Sequence, residues 1–316
     1  MRIHGSLTAK KDTIMKHSIN EIGLRRTIEL LLPQMVRTGE LAKIIQSKMQ
    51  EKPDDSGLAK ETGNRFTDAL TDADILVESF LGSFILTTFE DVAFAGEEYA
   101  SDRVSKYFPK RQDVEYTITL DPVDGTLFFK DGLIIWSSIL TILRHNEIVA
   151  TAIYMPFPIE VDLDCYFFIA IKDEGTFFSV YGDPDSIRSD GSWSDYDTRN
   201  HCWKEKAPII VSYHVSEEKK RQIAELGYPV VHFSDYVKGE PWEIHLPSLM
   251  GTPTAASALV KNDAPVLDWG AVGFTMGWSN DGYCNDFVID KDLKIPLLVA
   301  ANNRDLYDKL MDIMTD

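Results

Sequence analysis

Cysteine and positive charge are the two features that this sequence has least of. Three of its 316 residues are cysteine, and their long spacings suggest neither a disulfide framework nor a paired-cysteine metal site. We therefore expect a reducing compartment and predict a cytoplasmic location. Against 32 basic residues stand 50 acidic ones, and the net charge of −18 disfavours nucleic acid and membranes as partners.

Long hydrophobic runs are also missing. The longest apolar stretch, LIIWSSILTIL, lies between Gly132 and Arg144, and it is too short to span a bilayer. The first twenty residues have no apolar segment typical of a secretory signal. No GxSxG motif occurs and the seven histidines show no HExxH spacing, so neither serine-nucleophile chemistry nor a histidine metal site is indicated. Apolar residues still make up 44% of the chain, enough for a sizeable core.

Hydrophobic periodicity divides the chain into two parts. The first part has helical spacing over 20–50 and 70–89, with Thr71 as a plausible N-cap. Five predicted strands follow, in an antiparallel sheet, at 116–120, 133–143, 147–155, 164–171 and 175–180. The second part alternates strands with helices, two of them near 253–261 and from 268, which is typical of an α/β fold. A polar, turn-rich stretch over 182–206 lies between them. We predict an α+β domain over 1–185 and a smaller α/β domain over 205–316, with the functional site in the cleft between them.

The segment TITLDPVDGT, residues 117–126, ends an apolar strand on two carboxylates. Pro122 removes a ladder donor, and Gly125 permits a tight turn whose amides can face an anion. Asp121 and Asp124 would repel each other unless one is protonated or a cation lies between them. Hard oxygen ligands of this kind suit Mg²⁺, Mn²⁺ or Ca²⁺. An Asx-turn with a solvated second acid explains these ten residues equally well.

Two upstream segments add further acids. AFAGEE over 93–98 places Glu97 where a strand should end, and LTDADILVE over 70–78 places Asp74 in the first turn of a helix. By itself, an acid in a first turn usually complements the helix dipole.

Together these segments resemble the inositol monophosphatase superfamily, whose members are magnesium-dependent phosphatases. The superfamily includes fructose-bisphosphatases and 3′(2′),5′-bisphosphate nucleotidases. The stretch VLDWGAVGFTMGWSNDGYCND, from Val266, is similar to the second-domain segment of that family, and the similarity covers most of residues 20–316. The resemblance implies a layered α-β-α-β-α sandwich of the sugar-phosphatase type, with two or three Mg²⁺ ions as cofactors or Mn²⁺ in their place. It also implies lithium sensitivity and a possible homodimer.

The resemblance further implies a role for each site residue. Glu97, Asp121 and the carbonyl of Val123 would hold one metal, and Asp121, Asp124 and Asp268 a second. Asp74, Thr126 and Glu97 would act in catalysis, and the backbone amides of Gly125 and Thr126 would receive the phosphate. The expected reaction is in-line attack of a metal-activated water on a phosphomonoester.

The substrate is predicted from departures from the family pattern. The acid that reads inositol hydroxyls has no clear counterpart, and Phe128 stands where the family often has Asn, so it could offer an apolar face to a ring. Lys130 and Lys261 are candidates for holding a second phosphate, but we expect both to be solvated, as lysines usually are. We therefore predict a small inositol or sugar monophosphate, with a bisphosphate nucleotide or fructose bisphosphate as alternatives.

Two other classes of protein remain open. Haloacid dehalogenase phosphatases have acids at i and i+2, whereas Asp121 and Asp124 lie at i and i+3. A non-catalytic, cation-binding regulatory protein on the same fold is the remaining alternative.

Overall fold

The computed structural model describes residues 16–51, 71–97, 104–133, 136–156, 165–181, 194–195, 208–212, 215–232, 257–278, 282–287 and 289–316. Its helices, numbered in chain order, are α1 (Ile19–Glu51), α2 (Asp72–Thr88), α3 (Thr126–Lys130), α4 (Glu217–Ala224), α5 (Ala271–Gly277) and α6 (Arg304–Thr315). Single 3₁₀ turns occur at Ser105–Tyr107 and Arg111–Asp113, and a π-helical turn spans Val266–Gly270. None of the described helices is long and apolar enough to cross a membrane.

The first sheet has seven strands in chain order: β1 (Val92–Gly96), β2 (Tyr116–Asp124), β3 (Ser137–Arg144), β4 (Glu147–Met155), β5 (Cys165–Ile171), β6 (Gly175–Tyr181) and β7 (Ser194–Asp195). Strands β2 to β6 pair antiparallel, as predicted. The short strand β7, which was not predicted, also pairs antiparallel, while β1 pairs parallel to β2. The parallel pair brings the carboxyl ends of β1 and β2 to the same edge, because Gly96 lies opposite Leu120. That register places Glu97 beside Asp121.

Two long helices cover one face of this sheet. Helix α1 buries Ile28, Leu31 and Met35 in the main core, and α2 packs against it and against β2. Helix α2 begins at Asp72 with Thr71 as its N-cap, which confirms that prediction.

The second sheet has the strand order β11-β12-β10-β8-β9. Its strands are β8 (Ile209–Val211), β9 (Val230–His232), β10 (Ala258–Pro265), β11 (Tyr283–Cys284) and β12 (Lys294–Ala301). The predicted helix near 253–261 is wrong where the structure describes it, because β10 occupies the described residues from Ala258 onward. Strand β10 lies centrally, between β8 and β12, and cross-strand pairing outweighs any local helical preference of ASALV.

Helix α5 connects the two sheets, since it contacts β4 and β5 on one side and β11 and β12 on the other. Helices α4 and α6 contact each other beyond the second sheet. The result is five layers, helix–sheet–helix–sheet–helix, which confirms the predicted sandwich.

The division into two domains stays a prediction. Most of the polar stretch 182–206 lies outside the described residues, and its described part, Ser194–Asp195, pairs with β6.

Candidate active site

The strand end at Asp121 is built by a break in the β2–β3 ladder. Asp121 pairs with Ile139 and Asp124 with Ser137, so two residues of β2, Pro122 and Val123, lie opposite one residue of β3. A bulge tolerates proline because the extra residue has no ladder bond to donate. The hydroxyl of Ser138 donates to the Pro122 carbonyl at 2.6 Å and fixes the bulge. This local geometry positions Asp121 and Asp124 at the edge of the sheet where the carboxyl ends of β1 and β2 lie.

The turn after Asp124 requires glycine. Gly125 has φ 88° and ψ 32°, a left-handed conformation that other residues adopt at a cost of roughly 1 kcal/mol or more. Helix α3 begins directly afterwards at Thr126, whose hydroxyl donates to the Val123 carbonyl at 2.9 Å. That carbonyl oxygen keeps a second lone pair, which can bind a metal ion as predicted.

Asp74 is held in place by the start of α2. Its Oδ2 accepts from the Thr71 amide at 2.8 Å and from the Thr71 hydroxyl at 2.6 Å, the reciprocal arrangement of a capping box. The side chain is fully buried. Its other oxygen, Oδ1, lies 3.4 Å from the Thr126 hydroxyl. The structure therefore brings together the two residues predicted to orient the attacking water.

Glu97 follows β1 and is exposed at the same edge. Its amide donates to the Leu120 carbonyl at 2.9 Å, which extends the parallel ladder up to Asp121. The preceding residue, Gly96, has no room for a side chain, because an added Cβ would lie 2.2 Å from the carboxylate of Glu78. Glu78, which the sequence analysis did not single out, is thus a buried acid whose carboxylate lies against Gly96, the residue before Glu97.

Asp268 approaches from the second sheet. It lies in the π-helical turn Val266–Gly270, which contacts β2 and β3. The Trp269 amide donates to Asp268 Oδ1 and fixes the carboxylate. Two residues 147 positions apart in the chain, Asp121 and Asp268, are therefore close enough for their charges to interact.

Burial and mutual repulsion raise the pKa of three of these acids, Asp121, Asp124 and Asp268. Burial, together with the charges of Glu97, Asp124 and Asp268, raises the pKa of Asp121 well above its ordinary value. Burial and the charge of Asp268 raise the pKa of Asp124 to about 8, against a hydrogen bond from Ser137 that lowers it. Burial raises the pKa of Asp268 to about 6, although Lys261 and the Trp269 amide act in the opposite direction. Protonation or a bound cation would relieve this repulsion.

Lys261 is the residue that the sequence analysis placed wrongly. It was expected to be solvated, yet it is only 5% exposed, with its Nζ 4.4 Å from the ring centroid of Trp269. Its charge acts on both Asp124 and Asp268. A lysine within an apolar strand could have indicated a buried charge, but the sequence analysis predicted a helix at this position instead. Lys130 is half-buried at the end of α3.

Phe128 was considered as an apolar face for a ligand, and the structure contradicts this. The side chain is fully buried in the main core, beneath α3. Sequence analysis also missed Ser137, whose hydroxyl donates to Asp124 Oδ2 at 3.1 Å.

The residues fit a divalent cation in type and charge. Within the described part of the chain, Asp121 Oδ1 is buried without a hydrogen-bond partner, although it belongs to a carboxylate beside three others. No group of three His, Cys, Asp or Glu side chains among the described residues is placed to hold an ion as it stands. Mg²⁺ does not require such a cage, since it keeps several waters and binds through one or two carboxylates together with substrate phosphate. The arrangement is therefore suited to Mg²⁺.

Comparison with known proteins identifies the family. The model of the inositol monophosphatase family matches residues 34–228, more than half of the chain, and the chain belongs to that family. The match includes Asp74, Glu97, Asp121, Asp124 and Thr126, and it ends before Asp268. Membership supports a metal-dependent phosphatase. No curated protein sequence matches the chain.

Solved structures show the same fold at low sequence identity. The chain is similar to the extragenic suppressor protein suhB from Bartonella henselae, with a TM-score of 0.58, 15% identity, and coverage of 90% of this chain and 98% of the other. For a staphylococcal IMPase-I complexed with products, the corresponding values are 0.56, 15%, 92% and 95%. For CysQ from Bacteroides thetaiotaomicron, a bacterial member of the inositol monophosphatase family, they are 0.55, 14%, 90% and 100%.

Proposed function

We propose that this protein is a Mg²⁺-dependent phosphomonoesterase that acts on a small phosphorylated polyol. The observation that carries the proposal is that the charges of Glu97, Asp124 and Asp268 act on Asp121, whose Oδ1 is buried without a hydrogen-bond partner among the described residues. Four such acids are stable together only when protonated or neutralised by cations. Family membership supports phosphatase chemistry.

Glu97, Asp121, Asp124, Asp268 and the Val123 carbonyl would hold the metal ions. When bound, these ions would supply Lewis-acid stabilisation of charge on the phosphoryl oxygens and a lowered pKa for water. Most of these ligands lie at the ends of β1 and β2 in the first sheet, whereas Asp268 comes from the Val266–Gly270 turn. The ligand set is therefore complete only when that turn packs against β2 and β3.

Thr126 and Asp74 would position the nucleophile. Asp74 Oδ2 is already occupied by two donors from Thr71, which leaves Oδ1 to face the Thr126 hydroxyl. The Thr126 hydroxyl donates to the Val123 carbonyl, so a water beside the pair would donate to both Thr126 Oγ1 and Asp74 Oδ1, would have a fixed orientation, and would release its proton toward Asp74. The amides of Gly125 and Thr126 remain the proposed phosphate contacts.

The proposed substrate preference depends on which lysine side chains could bind a second phosphate. Lys261 faces two carboxylates, so it is poorly placed to hold a second phosphate. This favours a monophosphate such as an inositol or sugar phosphate. We also propose a homodimer and lithium sensitivity on the resemblance alone, and a cytoplasmic location from the cysteine usage.

One observation favours a second candidate, a bisphosphate substrate. A cleft of about 830 Å³ runs along β1 to Glu97 and Leu267, and its walls include Lys106, Lys110 and Lys291. These lysines could form charge-assisted hydrogen bonds with a second phosphate that lies in the cleft.

Phosphate release tests both candidates. We expect activity with Mg²⁺ or Mn²⁺ that chelation abolishes, and a higher kcat/KM for inositol-1-phosphate than for fructose-1,6-bisphosphate or adenosine 3′,5′-bisphosphate. A preference of ~100-fold for a bisphosphate, about 2.7 kcal/mol, that is lost in Lys110→Ala would establish the second candidate instead. Activity that survives thorough chelation would contradict metal dependence, and trapping of a phospho-aspartate would indicate the haloacid dehalogenase mechanism.

A further inference from the structure

We propose that the Lys261 ammonium is a built-in counter-ion of Asp124 and Asp268. In consequence, a second divalent cation, on the side of Asp124 and Asp268, would bind more weakly than it would without this lysine, whereas one on the side of Glu97 and Asp121 would be less affected. This inference rests on the metal dependence proposed above, and it concerns how many ions the chain requires.

Strand geometry directs Lys261 toward the site. Side chains alternate along β10, so Lys261 shares a face with Leu259, whereas Ala258 and Val260 face the opposite way. Leu259 belongs to the core that includes the first sheet, and Ala258 and Val260 belong to the core under α4 and α6. Lys261 therefore points between the two sheets, where Asp268 and the end of β2 lie.

Burial requires that this charge be compensated. Lys261 is 5% exposed, and an uncompensated ammonium at that depth costs several kcal/mol. Burial lowers the pKa of the Lys261 ammonium, whereas the charges of Asp268 and Asp124 favour its charged form and the charge of Lys294 opposes it. The Trp269 ring, 4.4 Å from Nζ, adds a cation–π contact and limits where the ammonium can move.

An ammonium and a divalent cation compete for these carboxylates. Asp124 and Asp268 are the acids that Lys261 neutralises, and they are also two of the three proposed ligands of the second metal. A second ion at that position would lie beside a fixed positive charge, and the repulsion would weaken its binding. Asp121 and Glu97 are mutually in contact, and Lys261 is not among the leading charges that act on Asp121. An ion on the side of Asp121 and Glu97 would therefore be weakened less.

Metal titration of the stripped, full-length protein tests the inference. Calorimetry and Mn²⁺ paramagnetic resonance would count the bound ions independently of turnover. We expect one tight Mn²⁺ equivalent in the wild type, and a second equivalent that tightens by about tenfold or more in Lys261→Met, a change of ~1.4 kcal/mol. Lys261→Arg, which keeps the charge, should retain the wild-type pattern.

A matched control is Lys294→Met, which removes the same charge from an exposed lysine near the site. It should leave the stoichiometry and both dissociation constants unchanged. In chelator, Lys261→Met should unfold at a lower temperature than the wild type and regain more stability on Mn²⁺ addition, because its acids have lost their internal cation.

The outcomes separate the inference from the proposed function. Two equally tight equivalents in the wild type, with activity intact, would overturn the inference and leave the phosphatase proposal standing, whether or not any variant folds. Equal second-site affinity in the wild type and a folded Lys261→Met would overturn it as well. Failure of the active wild type to bind any Mn²⁺ would overturn metal dependence and the inference together.

Discussion

Thr126 Oγ1 lies 3.4 Å from Asp74 Oδ1, although 52 residues separate them in the chain. The contact joins the first turn of α2 to the first residue of α3, and each partner is fixed by its own local structure. Asp74 is held by a capping box and Thr126 by the turn that Gly125 permits. Local structure therefore fixes both side chains beside the carboxylates without the help of a substrate.

Removal of the Thr126 hydroxyl should impair turnover more than stability. Thr126→Val keeps the side-chain volume, so we expect an intact fold and a fall in kcat of ~10²-fold, the low end for loss of a group that positions a proton transfer. Thr126→Ser should retain most of the activity because it keeps the oxygen. Steady-state kinetics would measure both, and near-normal turnover in Thr126→Val would contradict the assigned role.

Asp121→Asn should separate activity from stability. The carboxylate is buried among like charges, so its neutral replacement is expected to raise the melting temperature of the metal-free protein, by ~2–4 °C for each kcal/mol gained in a domain of this size. Turnover should fall ~10³-fold or more, about 4 kcal/mol, because the proposed bridging charge is gone.

Asp312→Asn, the same change on an exposed position of α6, is the control and should alter neither quantity. A folded Asp121→Asn variant that is active and less stable would instead indicate a structural Asx-turn.

The metal-free protein should lose stability as the pH rises. Asp124 and Asp268 have folded-state pKa values of about 8 and about 6, both above those of unfolded aspartate. The folded state therefore binds more protons than the unfolded state over this range, so the free energy of unfolding decreases from about pH 4 to pH 8. Melting temperatures in chelator at pH 5, 6, 7 and 8 would show this slope.

Mg²⁺ should reverse the trend. It binds the ionised carboxylates, so the stabilisation that it provides should increase over the same pH range. A Mg²⁺ effect that is equal at pH 5 and pH 8 would show that these acids are not its ligands.

The sequence was sufficient to predict those parts of the site that depend on local signals. An apolar run that ends on Asp121, a glycine in the following turn and Thr71 three residues before Asp74 each have a local physical cause, and each lies where it was predicted. Strands β2 to β6 were predicted for the same reason, since alternation and turn residues act within a few positions, although β3 begins at Ser137 rather than at 133.

The environment of Lys261 could not be predicted in this way. Periodicity over 253–261 is equally compatible with a helix, and what decides for a strand is pairing with β8 and β12, which come from distant segments. Whether a lysine in that strand is solvated or buried then depends on the π-helical turn and Trp269, which follow it and fold back over it. Ser137 was missed for a similar reason, because only the register of β2 with β3 brings it to Asp124.

Gly96 and Glu78 should show strong coupling, and this is the most direct test of how Glu97 is positioned. In Gly96→Ala the new Cβ would meet the Glu78 carboxylate at 2.2 Å, and Glu78 is buried, so it has little room to move aside. We expect Gly96→Ala to lower the free energy of unfolding by ~1–3 kcal/mol, as for other overpacked sites. Turnover should fall as well, because the strand that carries Glu97 is displaced.

Shortening the neighbour should relieve the clash. Glu78→Asp removes one methylene, so the double variant Gly96→Ala/Glu78→Asp should recover part of the lost stability, with a coupling energy of ~0.5–3 kcal/mol. Chemical denaturation of the four proteins would give that energy. Gly175→Ala is a useful comparison, because a Cβ added there meets no atom of the described residues within 4 Å, so a cost would come from its φ of 109° rather than from a clash. Strict additivity of Gly96→Ala and Glu78→Asp would mean that Glu78 does not restrict the space behind Gly96, and the positioning of Glu97 would then have to depend on its amide bond to Leu120 instead.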